Sequence, residues 1–270
     1  MDVIESMKKE MIRRKLSHRT IKTYLFYVRK FLLFCKKDPK EFSKKDIRDF
    51  LYKFMENEKA GNSINVALNS LRFMMEEVLR KNMRLGIRYS KTPKSKPTFL
   101  TKEEVKKIIS VINNDKHKLI VQLMYGAGLR VSEVVKLKVN DVLLDENIGW
   151  VRKGKGNKDR PFIIPICLKE QIKILIENNK LYLFPGNKKS HLTAKSVQCI
   201  VKKATKLAGI KKNVHPHTFR HSFATHVLEE GNDVTAVQSL LGHNEPRTTL
   251  EYIHVVKPKM LSIKSPLDNL

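Results

Sequence analysis

The chain has 270 residues and carries 54 lysines and arginines against 27 aspartates and glutamates, a formal net charge of +27 at pH 7. Hydrophobic residues make up 41% of it, which excludes a disordered polybasic tail and leaves apolar material for two small domains or one large one. The charge is shared, because residues 1–100 hold 25 basic and 11 acidic side chains (+14) and residues 101–270 hold 29 and 16 (+13). This distribution favours a polyanion contacted along the whole chain, and the alternative is a general basic surface, as in a ribosomal or membrane-surface protein.

Other classes of protein are disfavoured by composition. No run of about 18 apolar residues is present, so no transmembrane helix is expected, and the N-terminus lacks the layout of a secretory signal. The three cysteines, Cys35, Cys167 and Cys199, are widely spaced and form no CxxC pair. This pattern favours reduced thiols in a cytoplasmic protein over a disulfide framework or a zinc site.

Residues 1–88 are predicted to form a domain of about four helices. Apolar residues recur at helical spacing over residues 21–35, and Ser17 is the expected N-cap of that helix. Ser43 with Asp46 resembles a shortened capping box at the start of the next helix. Helical architecture alone names no function for this domain.

Residues 89–98 are predicted to be a linker, since they contain two prolines, small polar residues and no apolar periodicity. Lys91, Lys94 and Lys96 would suit an extended segment that binds a phosphate backbone, and Lys158 in the later hairpin is a further predicted DNA-binding residue. An ordinary hinge is the alternative.

Residues 99–270 are predicted to be a second, mainly α domain with one small antiparallel β element. Thr101 and Glu104 form a capping box that opens its first helix. Residues 148–152 and 160–166 are rich in β-branched side chains and flank the string GKGNKD, which is the strongest hairpin signal in the chain.

Two basic residues follow or lie between glycines. Arg130 follows the string GAGL, so a turn can place its guanidinium at the start of a helix, where it and free backbone N–H groups face one anion. A surface arginine paired with Glu133 is the alternative. Lys155 lies between two glycines at the tip of the predicted hairpin, where it can enter a groove or remain a solvated turn residue.

Two later segments hold further candidates. His217 and Arg220 are at i, i+3 spacing and share a helix face that suits a phosphate oxyanion. His217 and His221 are at i, i+4 spacing, but no acidic residue or cysteine lies in that stretch, so no metal site is expected. Tyr252 falls nine residues after His243, and such a lone tyrosine is more often a core or interface residue.

Taken together, six residues resemble the signature Arg…Lys…His-x-x-Arg…His…Tyr of the tyrosine recombinases, also called the phage integrase family. They are Arg130, Lys155, His217, Arg220, His243 and Tyr252. The strings AGLRVSEV, GKGNKDR, HPHTFRHSFATH and LLGHNEPRTTLEYIHV are most similar to its Xer branch, and the short, lysine-rich chain to an archaeal Xer. The resemblance covers the whole chain and implies a four-helix, SAM-like core-binding domain followed by a catalytic domain.

The resemblance assigns each residue a role in cutting DNA through a 3′-phosphotyrosyl intermediate. Tyr252 would be the nucleophile, His217 the general base, Arg130 and Arg220 the donors to the two non-bridging oxygens, His243 a further donor and Lys155 the general acid, with Lys158 as a second candidate. A phenol with a pKa near 10 must lose its proton as it attacks, which is why a base is needed. The covalent link conserves the phosphodiester energy, so no cofactor, metal or ATP is implied.

The resemblance also implies partners. These are double-stranded DNA at a specific site and three further copies of the chain, forming a homotetramer on two duplexes from a free monomer or dimer, with residues 253–270 passed to a neighbour. No membrane partner is expected. Resolution of chromosome dimers is the expected role, and an activating partner stays an open question. The alternatives are a mobile-element integrase, a type IB topoisomerase-like enzyme and a non-catalytic DNA-binding protein.

Overall fold

The structure of the protein, a computed structural model, describes residues 2–57, 61–81, 98–152, 159–186 and 190–242. The chain divides into two compact units, residues 1–95 and 96–270. The predicted linker lies outside the described residues except for Thr98. Within the described stretches no helix has the length and apolar character needed to cross a membrane.

The N-terminal unit is a bundle of helices, as predicted. Its elements are α1 (Val3–Arg13), α2 (His18–Cys35), a 3-10 turn (Pro39–Glu41), α3 (Lys44–Asn57) and α4 (Gly61–Phe73), which continues as a π-helical turn (Met74–Val78). Both predicted caps are confirmed. Ser17 Oγ accepts from the Thr20 N–H at 3.1 Å, and Ser43 and Asp46 exchange backbone-to-side-chain bonds of 2.8 and 3.3 Å. These caps begin α2 and α3 by satisfying N–H groups that have no partner within the helix.

The core of the N-terminal unit lies where the apolar faces of its helices meet. Phe31 on α2, Leu51 on α3 and Leu68 on α4 are almost fully buried. Phe31 also packs edge-to-face on Phe42 and Phe50, with ring centroids 5.1 and 5.5 Å apart. The apolar residues that recur at helical spacing in the sequence are therefore those that form this core.

The second unit is mainly helical with a small sheet. Its elements are α5 (Lys102–Ser110), α6 (Asp115–Gly126), α7 (Val131–Val134), a 3-10 turn (Val139–Asp141), β1 (Val142–Leu143), β2 (Ile148–Val151), β3 (Arg160–Ile163), a 3-10 turn (Ile166–Leu168), α8 (Lys169–Asn178), α9 (Ala194–Leu207), α10 (Pro216–Glu229) and α11 (Val234–Leu241). The capping box of Thr101 and Glu104 is present as predicted.

The sheet is antiparallel in the order β1-β2-β3. The predicted hairpin is confirmed as β2 and β3, with Gly149 paired to Phe162 and Val151 to Arg160. The strand β1 was not predicted, because two residues are too few to show alternation. Side chains two residues apart on a strand face the same side, so Arg160 shares the inward side of β3 with the buried Phe162.

Candidate active site

The helix α10 presents a histidine and an arginine at neighbouring positions. Pro216 is its first residue and His215 precedes it, with the His215 N–H donating to Thr218 Oγ1 at 3.1 Å. His217 and Arg220 are three residues apart and therefore neighbours on the helix surface. His217 is exposed, whereas Arg220 is only 3% exposed. The helix thus places an imidazole at the protein surface and a buried guanidinium one turn further along.

The loop between α6 and α7 places Arg130. Gly128 in this loop has a φ of 61°, and a Cβ there would lie 2.6 Å from Cδ1 of Phe223 on α10. Glycine therefore permits both the left-handed backbone and the close contact. Arg130 lies at the start of α7, as predicted, and both its backbone N–H and its Nη1 donate to Glu133, at 2.8 and 2.7 Å. This pairing is buried, with 18% of the Arg130 side chain and 5% of the Glu133 side chain exposed, so Arg130 is not the surface arginine of the alternative interpretation.

Glu133 is surrounded by three arginines from different elements. Its contacts are Arg130 Nη1 at 2.7 Å, Arg160 Nη2 at 2.6 Å and Arg220 Nη1 at 4.0 Å. Only 11% of the Arg160 side chain and 4% of the Arg220 side chain are exposed. We call these four residues the Glu133 cluster. It joins α7, β3 and α10 through charge rather than through apolar packing.

The same three arginines hold the end of α11. Three successive carbonyl groups there each accept a hydrogen bond from a different guanidinium: Leu240 O from Arg160 Nη1 at 2.7 Å, Leu241 O from Arg220 Nη2 at 2.5 Å and Gly242 O from Arg130 Nη2 at 3.5 Å. The last carbonyls of a helix lack partners within it and carry partial negative charge. Cationic donors therefore stabilise this helix end, and they fix the point from which residue 243 continues.

The electrostatics of the site follow from burial and charge. Burial by itself would raise the pKa of the Glu133 carboxyl. The charge of Arg160 and the hydrogen bonds from Arg130 lower this pKa by more than burial raises it. The pKa of Glu133 therefore lies below its usual value, and the carboxyl is ionised at neutral pH. Partial desolvation and nearby cationic groups, among them Arg220 and Arg130, lower the pKa of His217. His217 is therefore neutral at pH 7 and able to accept a proton.

A cavity of about 660 Å³ lies beside Arg130. Its lining includes Lys136, Lys138, Trp150, Arg152, Tyr182 and His191. The Arg152 guanidinium lies over the Trp150 ring, 4.9 Å from its centroid. The lining also contains the carboxylates of Glu133 and Asp141, and Arg152 pairs with Asp141 at 3.2 Å, so part of its positive charge is neutralised.

The backbone at the start of this unit is hydrogen-bonded to α10. The Leu100 N–H donates to Ser222 Oγ at 2.8 Å, and Ser222 Oγ donates to Thr218 O at 2.8 Å. Ser222 is fully buried and lies two residues after Arg220. The backbone of residue 100, just after the predicted linker, is therefore bound to the helix that carries His217 and Arg220.

The structure brings three of the predicted site residues, Arg130, His217 and Arg220, into one region. The others lie outside the described residues: Lys155, His243 and Tyr252, together with the predicted DNA-binding lysines Lys91, Lys94, Lys96 and Lys158. The sequence interpretation assigned no function to Glu133 or Arg160. The position of Arg160 two residues before Phe162 on a predicted strand was the available signal, since it put a charge on the inward side.

Comparison with known proteins agrees with this arrangement. Residues 98–258 match the model of the phage integrase family, and residues 3–85 match the N-terminal SAM-like domain of phage integrases. The tyrosine recombinase XerA of Pyrococcus horikoshii is 38% identical over 260 residues, covering 94% of this chain and 89% of that protein.

Two solved structures are similar over most of the chain. The crystal structure of XerA recombinase has 28% identity and a TM-score of 0.55, and covers 97% of this chain and 96% of that one. The post-cleavage complex of the XerH site-specific recombinase with palindromic difH substrate has a TM-score of 0.72 and 24% identity, covers 92% of this chain and 80% of that one, and supports the fold alone.

The chain belongs to the phage integrase family, the tyrosine recombinases. The resemblance seen in the sequence is thereby confirmed. Enzymes of this family break and rejoin DNA without a metal or ATP, and this chain is such an enzyme of the Xer type.

Proposed function

We propose that the protein is a site-specific recombinase that resolves chromosome dimers through a 3′-phosphotyrosyl intermediate. The observation that carries the proposal is that Arg130 and Arg220 lie against one buried carboxylate, Glu133, while His217 lies three residues before Arg220 on α10. A phosphodiester in transition carries growing charge on its non-bridging oxygens, and two preorganised guanidinium groups stabilise such charge.

The proposed roles of the described residues follow from their settings. Arg220 donates to Gly128 O at 2.7 Å and to Leu241 O, which orients its planar group between the α6–α7 loop and the end of α11. Arg130 is oriented by Glu133 in the same way. A guanidinium that is already fixed loses little entropy when it binds a phosphate oxygen. His217, exposed and neutral, is the general base that takes the phenolic proton.

The remaining roles rest on the sequence signature. Tyr252 attacks the phosphorus, Lys155 protonates the leaving 5′-oxygen with Lys158 as the second candidate, and His243 donates to the phosphate. The three arginines at the end of α11 support the role of His243, because they fix the residue directly before it.

The proposed partners are duplex DNA at a specific site and three further copies of the chain. The charge of +27 supports DNA, because a protein that contacts many phosphates needs such an excess of cationic side chains. The proposed binding contacts also include Lys91, Lys94 and Lys96. Similarity to XerA over 94% of the chain supports dimer resolution over the alternative role in mobile-element integration.

Covalent capture tests the chemistry. The bound site is first mapped on genomic DNA, and a nicked duplex carrying it is then incubated with the protein. Cleavage releases the short fragment between the scissile phosphate and the nick, which carries the free 5′-hydroxyl; this fragment diffuses away, so religation is blocked and a covalent protein–DNA band accumulates. We expect this band with the wild type and with Tyr125→Phe, and none with Tyr252→Phe. DNA binding without a covalent band in the wild type would contradict the proposal.

A plasmid assay tests the role. A supercoiled plasmid with two directly repeated sites should be resolved into two circles. Equal efficiency in fusing two single-site plasmids would favour mobile-element integration, and relaxation without resolution would favour a topoisomerase.

A further inference from the structure

Arg160 is the one arginine of the Glu133 cluster that the recombinase signature does not include. It lies at the start of β3, directly after the hairpin segment, and its side chain turns inward. Only 11% of that side chain is exposed, so its guanidinium is buried, and the proposed mechanism assigns this group no role. Burying a charge is costly unless it is well paired.

The contacts of Arg160 join three elements. Its Nη2 donates to Glu133 Oε2 on α7 at 2.6 Å, and its Nη1 donates to Leu240 O on α11 at 2.7 Å. Its stem lies against Gly242, where a Cβ would come within 2.6 Å of the Arg160 Cδ. The planar group therefore links the carboxylate that orients Arg130 with the residue that precedes His243.

The position of Glu133 depends on this contact. Oε1 of Glu133 bonds to the side chain of Arg130, while Oε2 is shared between the Arg130 backbone N–H and Arg160. The charge of Arg160 is also the largest single influence that lowers the pKa of the buried Glu133 carboxyl. Without Arg160, Oε2 of Glu133 loses its side-chain hydrogen-bond donor, and the carboxylate is oriented mainly by its bonds to Arg130.

We propose that Arg160 is a positioning residue for DNA cleavage: it fixes Glu133 against Arg130 and fixes the end of α11, and it makes no contact with DNA. The proposal rests on the proposed roles of Arg130 and His243. A displacement of about 1 Å in a group that acts on the reacting phosphate costs about 100-fold in rate. Loss of Arg160 should therefore slow cleavage without weakening the binding of DNA.

The test measures single-turnover cleavage of the nicked duplex with saturating protein, and DNA affinity separately. We expect Arg160→Met to cleave about 100-fold more slowly, with its affinity unchanged relative to the matched control. That control is Lys102→Met, which removes the same charge from an exposed pair with Glu230 in the same unit. Arg160→Lys should recover part of the rate, because lysine restores the charge beside Glu133 but cannot donate to two partners in one plane.

A double-mutant cycle distinguishes positioning from a general structural defect. Because Arg160 is proposed to act partly through Arg130 and partly through the end of α11, adding Arg160→Met to Arg130→Ala should slow cleavage by clearly less than Arg160→Met does alone. Multiplying defects would overturn the proposal, as would a weaker affinity for DNA in Arg160→Met than in Lys102→Met.

Thermal unfolding of each variant identifies any loss of fold. If Arg160→Met does not fold, the double-mutant cycle is measured with Arg160→Lys and Arg130→Ala, where a smaller defect in cleavage rate is expected. Rate defects that multiply in this second cycle would contradict the proposal. A wild type that forms no covalent band refutes the proposed function instead. An active wild type whose Arg160 variants cleave at the normal rate refutes only the positioning role.

Discussion

Each unit of the molecule contains a carboxylate that holds several arginines, and the two settings differ sharply. In the N-terminal unit Glu10 binds Arg13 and Arg14 at 2.7 Å, but these partners are one turn away on the same helix and their side chains are 69% and 36% exposed. In the catalytic unit the partners of Glu133 come from α7, β3 and α10 and are all largely buried.

The difference shows what burial adds to the same chemistry. Exposed pairs within one helix contribute little stability, because water and salt screen them. A buried cluster that spans several elements is costly to assemble, and removing one member leaves uncompensated charge. The Glu133 cluster therefore joins three elements through one carboxylate, whereas Glu10 binds only within its own helix region, and a second element is reached only by Arg14, at Glu77.

The largest effect is expected from Glu133→Gln. It leaves three arginines around a neutral side chain, so we expect a loss of about 3–5 kcal/mol in the free energy of unfolding. Urea denaturation followed by the fluorescence of Trp150, the only tryptophan in the chain, reports on the catalytic unit. Glu10→Gln is the matched control, and its unfolding by circular dichroism should shift only slightly. Equal losses in the two variants would remove the distinction between the units.

The two units should also lose stability in different pH ranges. Burial, with nearby histidines and Arg220, lowers the pKa of His221 on α10 to about 4. Between about pH 6.5 and 4 the unfolded chain binds a proton that the folded unit does not, so stability falls by roughly 3 kcal/mol as the pH falls. In the N-terminal unit, hydrogen bonds from arginine or lysine lower the pKa of Glu10 and Asp46 to about 2, so its loss begins only below about pH 4.5.

Denaturation at a series of pH values checks this order, with Trp150 fluorescence for the catalytic unit and circular dichroism for the whole chain. In His221→Phe the loss between pH 6.5 and 4 should shrink. A loss of the same size in this variant would contradict the assignment to His221.

Gly242→Ala tests how tightly Arg160 is held. Gly242 has a φ of 61°, and its close neighbour Arg160 is fixed by Glu133 and Leu240, so the side chain cannot easily yield. We expect a loss of about 2–3 kcal/mol in unfolding free energy. Gly209→Ala is the control, because Gly209 has a φ of 68° but no atom near the added Cβ, and its loss should be about 1 kcal/mol. Similar losses would mean that Arg160 moves freely.

The smallest effects concern neutral hydrogen bonds. Tyr125→Phe removes a 2.9 Å bond between the Tyr125 hydroxyl on α6 and Nδ1 of the buried His226 on α10, and should cost about 1–2 kcal/mol. Ser70→Ala in the N-terminal unit removes a bond to the carbonyl of Ala67 within the same helix and should cost less than about 1 kcal/mol. Thermal unfolding measures both, and a larger cost for Ser70→Ala would reverse the expected order.

Local spacing in the sequence predicted much of the fold. The caps at Ser17 and Thr101, the hairpin of β2 and β3, and the placement of Arg130 at a helix start all depend on residues within a few positions of one another. The neighbouring positions of His217 and Arg220 follow from helix periodicity in the same way. Such features are determined by residues that are close together in the sequence, so they can be predicted from a single sequence.

The remaining features depend on contacts between distant segments. Glu133 was noticed only as a surface partner of Arg130, because nothing near it indicates that Arg160, 27 residues later, shares the same oxygen. The three carbonyls at the end of α11 likewise appear in no side-chain pattern. Backbone acceptors carry no sequence signal, so their role became visible only in the fold.

The bond between Leu100 and Ser222 has a mechanical consequence. The backbone at the start of the second unit is tied to the helix that carries His217 and Arg220. Because Ser222 is fully buried, separating residue 100 from α10 would leave a backbone N–H without its acceptor. The first residues of this unit are therefore held to the helix that supplies two of its site residues.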